Sequence, residues 1–324
     1  MNDVTQAPPI EHRWLRLRWS NRKAYAQLMR FALLDPPLVA LVGLGVGFTE
    51  VPATAGLLAR CVLLLLLGMV LFWIVHVVDD LTGLASGTDI ISAPQKARIG
   101  EPKVLVTGAV QLFEARSLLV VLVTLAGLVL VPVLSSAPAI TIMLIAGAAV
   151  VTGQYSVGAR WSYRSLGELM VALAFACCFL VPYSFVTARI SGRAILLALL
   201  YSLCIVQVTF SSNYADLDAD AQSGRHSVMV RFGVEATKRV VIAIGVAFWL
   251  VYIVALWSGA LPRTSVVLVS LLPLQWRALR AFLAGAPLEA RRRYFVMNRC
   301  LAALMLLAVV VDRLVQRINA GGAP

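Results

Sequence analysis

Nine apolar runs dominate the chain, over residues 31–49, 55–78, 117–134, 139–155, 167–187, 193–212, 239–258, 263–282 and 298–316. Each approaches the roughly 20 residues that a helix needs to cross the hydrocarbon core of a bilayer. The runs are continuous rather than alternating in short segments, which excludes a membrane barrel. The pattern predicts an all-α polytopic membrane protein with nine transmembrane helices. The third and fourth runs are separated only by Ser135-Ser136-Ala137-Pro138. Polar residues are confined to the short connections, and two connections are acidic. Asp79, Asp80 and Asp89 follow the second run, and Asp216, Asp218 and Asp220 follow the sixth. These are six of the chain's 16 acidic residues. Carboxylates at a membrane are expensive and mark function by default.

Composition strengthens this picture. The 324 residues are 60% hydrophobic and only 14% charged, with a mean hydropathy of +0.86. The formal net charge is +12. The basic residues stand in the connections between runs, where they set orientation and meet anionic lipid head groups, so no nucleic-acid partner is expected. With nine spans, 21 of the 28 Lys and Arg residues fall on the side of the N-terminus and six on the other. That bias predicts a cytoplasmic N-terminus in the inner cell membrane, and puts both acidic stretches on the cytoplasmic face. No cleavable signal peptide is expected. The five cysteines lie in apolar segments without a C-x-x-C pair or a histidine cluster, which argues against zinc. The chain reads as one transmembrane domain over 1–324, with a basic cytoplasmic segment at 1–23 and aspartate-rich capping loops at 79–103 and 213–233. Trp14, Trp19 and Tyr25 among basic residues suggest an interfacial helix before the first span.

The acidic stretches suit a diphosphate carried on Mg²⁺. Asp216 and Asp220 are four apart and share one face if the sixth span extends as a helix. Two neighbouring carboxylates repel unless a cation lies between them. Asn213, one turn earlier, adds a neutral oxygen, while Asp218 points elsewhere. Asp79 and Asp80 end the second span, and Gly83 and Gly87 allow a tight path to Asp89. The expected metal ligands are therefore Asp79, Asp80, Asp89, Asn213, Asp216 and Asp220, for Mg²⁺ or Mn²⁺. Asp80, Asp216 and Asp220 are the expected catalytic positions. Lys96, Arg98 and Arg225 follow the acids and match diphosphate oxygens. His76, one turn before Asp80, reads either as a base or as a hydrogen-bonded helix-end histidine. Phe72, Trp73, Phe113 and Phe179 could line an apolar channel and shield a carbocation.

Three segments carry a resemblance to a known family. Asp79-Asp80-Leu-Thr-Gly-Leu-Ala-Ser-Gly-Thr-Asp89 is similar to the first aspartate motif of the UbiA superfamily of intramembrane prenyltransferases, and more narrowly to its dihydroxynaphthoate (MenA-like) branch. Tyr155-Ser-Val-Gly-Ala-Arg-Trp-Ser-Tyr163-Arg164-Ser-Leu-Gly-Glu168 resembles the loop between spans four and five. The stretch from Asn213 to Gly233 resembles the second motif and its basic tail. The resemblance implies two helical halves around a central cavity capped by the cytoplasmic loops. It implies Mg²⁺-dependent transfer of a prenyl group from a prenyl diphosphate to an aromatic, quinone-precursor acceptor. Tyr155, Tyr163 and Arg164 would orient the head group or the acceptor. Two departures stand out. Asp79 replaces the usual Asn and Gly83 the usual second Asp, with Asp79 expected to compensate; Arg225-His226 replaces the usual Lys. Two other readings stay open. An intramembrane terpene cyclase would keep the ionisation and change the acceptor. An ion-coupled transporter would hold its acids nearer the midplane in broken helices.

Overall fold

A computed structural model of the protein describes residues 21–31, 33–98 and 101–321. It is all-helical, and the described residues contain no strand, only an isolated bridge between Arg164 and His226. The helices are α1 (Arg22–Leu28), α2 (Asp35–Gly47), α3 (Ala55–Ser86), α4 (Thr88–Arg98), α5 (Leu112–Ser136), α6 (Ala139–Ser156), α7 (Gly167–Thr187), α8 (Gly192–Ala215), α9 (Leu217–Gln222), α10 (Val228–Phe232), α11 (Val234–Trp257), α12 (Leu272–Leu283) and α13 (Pro287–Gly321). A 3-10 segment, Arg263–Leu271, runs directly into α12. Each of the nine apolar runs contains helix. Among the described residues, eight helical stretches are long and apolar enough to cross a membrane. The first run is the exception, because α2 has only 13 residues and is about 20 Å long. Trp14 and Trp19, with most of the basic segment at 1–23, lie outside the described residues; Tyr25 is buried in α1.

Helix ends follow local chemistry. The Thr54 hydroxyl accepts the Leu57 N–H and opens α3. Gly87, at φ +80°, closes it in a left-handed conformation that suits glycine. Gln111 and Glu114 form a capping box on α5. Pro138 separates α5 from α6, as the sequence break at 135–138 suggested.

Two apolar cores hold the bundle. One gathers α1, α3 and α5 around Leu64, Leu67, Val70 and Leu122. The larger surrounds α8, whose neighbours are α7, α11 and α13, with α2 packed on α7 and α13. Several polar side chains inside the bundle pair with one another. Asp35 of α2 accepts from Asn298 Nδ2 at 2.8 Å and from Arg299 of α13. Gln275 bridges Gln207, the Gly245 carbonyl and the Trp249 indole. The Gln275 contacts tie α8 to α11 and α12, while α3 is held mainly by packing on α5.

Candidate active site between α3, α4, α8 and α9

The first acidic stretch is helical rather than a loop. At 32 residues α3 exceeds a bilayer crossing, so Asp79 and Asp80 ride on its last turns. Gly87 then turns the chain into α4, which carries Asp89 in its first turn and Lys96 near its end. Asp80 and Asp89 are buried. The Lys103 ammonium lies 3.2 Å from Asp80 and 2.8 Å from Asp89, and Arg30 adds a weaker contact to Asp80 at 3.6 Å. Gly83 makes this convergence possible. A Cβ on residue 83 would stand 2.7 Å from the Asp89 carboxyl carbon. Asp89, rather than Asp79, therefore reaches the space beside residue 83. Asp79 turns the other way, accepts from the Ser156 hydroxyl and faces Arg225. Burial pushes the Asp89 carboxyl above its usual range, against the opposing pull of Lys103. Burial also weakens the Lys103 charge, but Asp80 and Asp89 outweigh it and hold the ammonium above its ordinary value.

The second stretch breaks at Asp216, which closes α8 and opens α9. The Asp220 N–H donates to the Asp216 carbonyl at 2.8 Å, so the two residues keep the one-turn relation despite the break. Asp216 is 2.6 Å from the Lys96 ammonium. That contact ties α4 to the α8–α9 junction and brings the two acidic stretches together. Asp220 is buried; one of its oxygens is 3.8 Å from Arg225, and the other has no hydrogen-bond partner among the described residues. Burial raises the Asp220 carboxyl to about 6, with Arg225 opposing and Asp216 reinforcing the shift. Burial also lowers the Lys96 ammonium, against the pull of Asp216. Asp218 is exposed. The Asn213 amide donates to Glu168 at 2.8 Å, which leaves its carbonyl oxygen for any ligand role.

The segment between α6 and α7 covers these groups. Tyr163 lies within 3.1 Å of the Ser86 hydroxyl and 3.4 Å of Thr88, at the α3–α4 turn. Arg225 donates to the Tyr155 hydroxyl at 3.1 Å and lies 5.9 Å from the Tyr163 ring centre. Burial disfavours the Arg225 charge, but Tyr155, Asp220 and Asp79 hold it well above its usual value. Ser165 donates to the His226 carbonyl at 2.8 Å, beside the Arg164–His226 bridge. The backbone of Arg164 thus joins the two segments while its side chain is exposed. Arg98 ends α4, and its side chain lies outside the described residues. His76 lies inside α3 rather than at its end, and its Nδ1 is buried without a partner among the described residues.

The sequence did not assign roles to Lys103, Arg30, Ser156 or Glu168. Lys103 and Arg30 read only as orientation signals, since nothing local ties them to Asp80. Glu168 carried a signal, because it ends the quoted Tyr155–Glu168 segment; it accepts from both Asn213 and the Val228 N–H.

The donor set fits Mg²⁺ as pairs. Among the described residues no three His, Cys, Asp or Glu side chains form a ready metal cluster. Mg²⁺ prefers hard oxygens and usually takes one or two carboxylates plus substrate phosphates. Asp80 with Asp89, whose oxygens converge on one ammonium, and Asp216 with the unpartnered oxygen of Asp220 meet that description.

The fold sets paired carboxylates at the ends of helices long and apolar enough to cross a membrane. The signature of the UbiA prenyltransferase family matches residues 38–300. The chain belongs to that family, and is by membership a prenyltransferase and an integral multi-pass membrane protein. No curated protein sequence matches it. Solved structures share the fold at low identity. A digeranylgeranylglyceryl phosphate synthase aligns with a TM-score of 0.62 and 14% identity, over 90% of this chain and 98% of its own. A UbiA homologue from Archaeoglobus fulgidus, bound to DMAPP and Mg²⁺, aligns with a TM-score of 0.60 and 15% identity, over 89% and 99%. The same homologue bound to GPP and Mg²⁺ aligns equally well, with a TM-score of 0.60.

Proposed function

We propose that this protein transfers a prenyl group from a prenyl diphosphate to an aromatic, quinone-precursor acceptor inside the membrane, as a single domain of the dihydroxynaphthoate-like branch. The observation that carries the proposal is the Lys96–Asp216 contact at 2.6 Å, which draws the two acidic stretches into one charged site beside apolar helices. The diphosphate binds between those stretches and the prenyl tail lies among the spans. Asp79, Asp80, Asp89, Asp216, Asp220 and the Asn213 carbonyl would hold Mg²⁺, with Mn²⁺ as a substitute. When bound, that ion neutralises the diphosphate and makes it a better leaving group. Asp80, Asp216 and Asp220 are the catalytic members of this set. Lys96, Arg98 and Arg225 bind diphosphate oxygens.

The allylic C–O bond breaks and its electron pair leaves with the diphosphate. The acceptor ring then supplies the pair for the new bond, and the substituted ring carbon gives up its proton to the released diphosphate, which restores aromaticity. Tyr155, Tyr163 and Arg164 orient the reacting groups, and the segment between α6 and α7 with the α3–α4 turn keeps water out. The basic-residue bias supports a cytoplasmic N-terminus in the inner membrane, with the site on the cytoplasmic face. The test is to incubate membranes carrying the protein with labelled prenyl diphosphates of several lengths, with and without quinone precursors. A labelled adduct of the acceptor, identified by mass, supports transfer; a cyclised hydrocarbon formed without acceptor refutes it.

A further inference from the structure

Just below the aspartates, α3 carries two polar side chains that the proposed chemistry leaves idle. The indole Nε1 of Trp73 and the Nδ1 of His76 are both cut off from solvent, and neither has a hydrogen-bond partner among the described residues. A buried polar group left without a hydrogen-bond partner is destabilising. Two such groups three residues apart lie side by side on a helix. At about 100° per residue, Phe72, Trp73, His76, Asp79, Asp80 and Gly83 fall within about 120° of one α3 face. The idle pair therefore sits on the same stripe as the acids. His76 is about 6 Å, and Trp73 about 10 Å, deeper along the axis than Asp80.

Neighbouring groups hold the pair in place. Phe31 stacks on Trp73 at 5.4 Å while its neighbour Arg30 reaches Asp80, so the chain after α1 lies along this stripe. Phe72 packs its ring edge-on against His76 at 4.4 Å. The charged groups near His76 are Arg30, Asp79 and Lys103. An indole N–H can only donate, whereas an imidazole nitrogen can accept. A hydroxyl group satisfies both, taking the Trp73 hydrogen on its oxygen and giving its own to His76.

We propose that Trp73 and His76 form the subsite that binds a hydroxyl group of the acceptor. This rests on the transfer reading above. A prenyl diphosphate held at the carboxylates directs its first carbon into the membrane, toward this pair, so a hydroxyl bound here sets the acceptor beside the reacting carbon. The shared chemistry is the hydroxyl, carried either by an aromatic ring or by a lipid alcohol.

The test is binding to the purified full-length protein, followed by calorimetry. The probes are 1,4-dihydroxy-2-naphthoate, its dimethyl ether, and a glycerol-based lipid alcohol; geranyl diphosphate with Mg²⁺ is titrated separately. Wild type binds one hydroxyl-bearing probe, and which one identifies the source; the ether binds about tenfold more weakly, as the loss of about one hydrogen bond to a buried group requires. Trp73→Phe and His76→Leu lose the same factor for the hydroxyl probe and nothing for the ether. His76→Asn, which keeps a polar atom near the Nδ1 position, retains most of the affinity. Geranyl diphosphate binds all variants alike, which shows that they fold. Equal binding of the hydroxyl probe by wild type and both loss variants, in a protein that does form prenylated product, overturns the subsite alone. Consumption of geranyl diphosphate without any prenylated acceptor overturns the transfer reading itself.

Discussion

Replacing Gly83 by alanine is expected to weaken the metal site even though it adds only a methyl group. The new Cβ would lie 2.7 Å from the Asp89 carboxyl carbon and 2.8 Å from each of its oxygens. Ordinary contact begins at 3.4 Å, so the carboxylate must retreat by about 0.7 Å. Its 2.8 Å contact with Lys103 cannot survive that shift unless the lysine also leaves Asp80. Loss of one buried charge-assisted hydrogen bond costs about 1.5–3 kcal/mol. Alanine returns about 1 kcal/mol through its better helix propensity. The net expectation is about 0.5–2 kcal/mol of lost stability and an approximately tenfold higher Mg²⁺ requirement, equivalent to about 1.4 kcal/mol. Thermal unfolding in detergent and the Mg²⁺ dependence of turnover measure the two effects. Gly83→Asp, which restores the residue usual in the resembled motif, should be worse than Gly83→Ala, because it forces two carboxylates into one space. Combining Gly83→Asp with Asp89→Ala should recover part of the loss. If Gly83→Asp alone lowers the Mg²⁺ requirement, Asp89 does not occupy that space and the reasoning fails.

Four further outcomes follow from particular contacts. Asp216→Ala and Asp220→Ala should each cut turnover at least about a hundredfold, or about 2.7 kcal/mol, while exposed Asp218→Ala stays within about threefold; an essential Asp218 would contradict the one-turn pairing of 216 and 220. Lys96→Ala should raise the KM for prenyl diphosphate more than it lowers kcat, because Lys96 binds rather than reacts, and an unchanged KM would remove it from the site. Asp35→Ala should cost about 1–3 kcal/mol by leaving the buried Asn298 amide without its acceptor, read as a lower unfolding temperature with an unchanged Mg²⁺ requirement; a loss under about 0.5 kcal/mol would show that this tie is idle. With native cysteines removed, cysteines at Ser86 or Ser223 should resist an impermeant reagent in intact cells, and their labelling would reverse the topology.

The spans were legible because a bilayer accepts little besides continuous apolar helix. Even the narrow break at Ser135–Pro138 was readable, since proline ends a helix that hydropathy alone would continue. The course of α3 was less legible. Hydropathy stops at Asp79, yet the helix continues to Ser86 because Ser156, Lys103 and Arg30 attend its acids. Those partners come from distant parts of the chain and leave no local trace. The short α2 was read as a full span because apolar residues outside the helix, such as Phe31, Leu33 and Leu34, extend its run. The relation of Asp216 to Asp220, and the exposure of Asp218, were readable from helical spacing and survived the break at Asp216. The place of Asp89 was not, because it depends on a missing side chain at Gly83.

The central claim is that the paired carboxylates of α3–α4 and α8–α9 hold a divalent cation together with a diphosphate. The most direct measurement is Mn²⁺ binding to the purified protein by electron paramagnetic resonance, with and without a non-hydrolysable thiolo analogue of geranyl diphosphate. The account predicts Mn²⁺ bound tightly only when the analogue is present, displaced by excess Mg²⁺, and lost in Asp80→Ala and Asp220→Ala. Tight, analogue-dependent Mn²⁺ binding that survives in both variants, or no bound Mn²⁺ in the wild type under either condition, would contradict it.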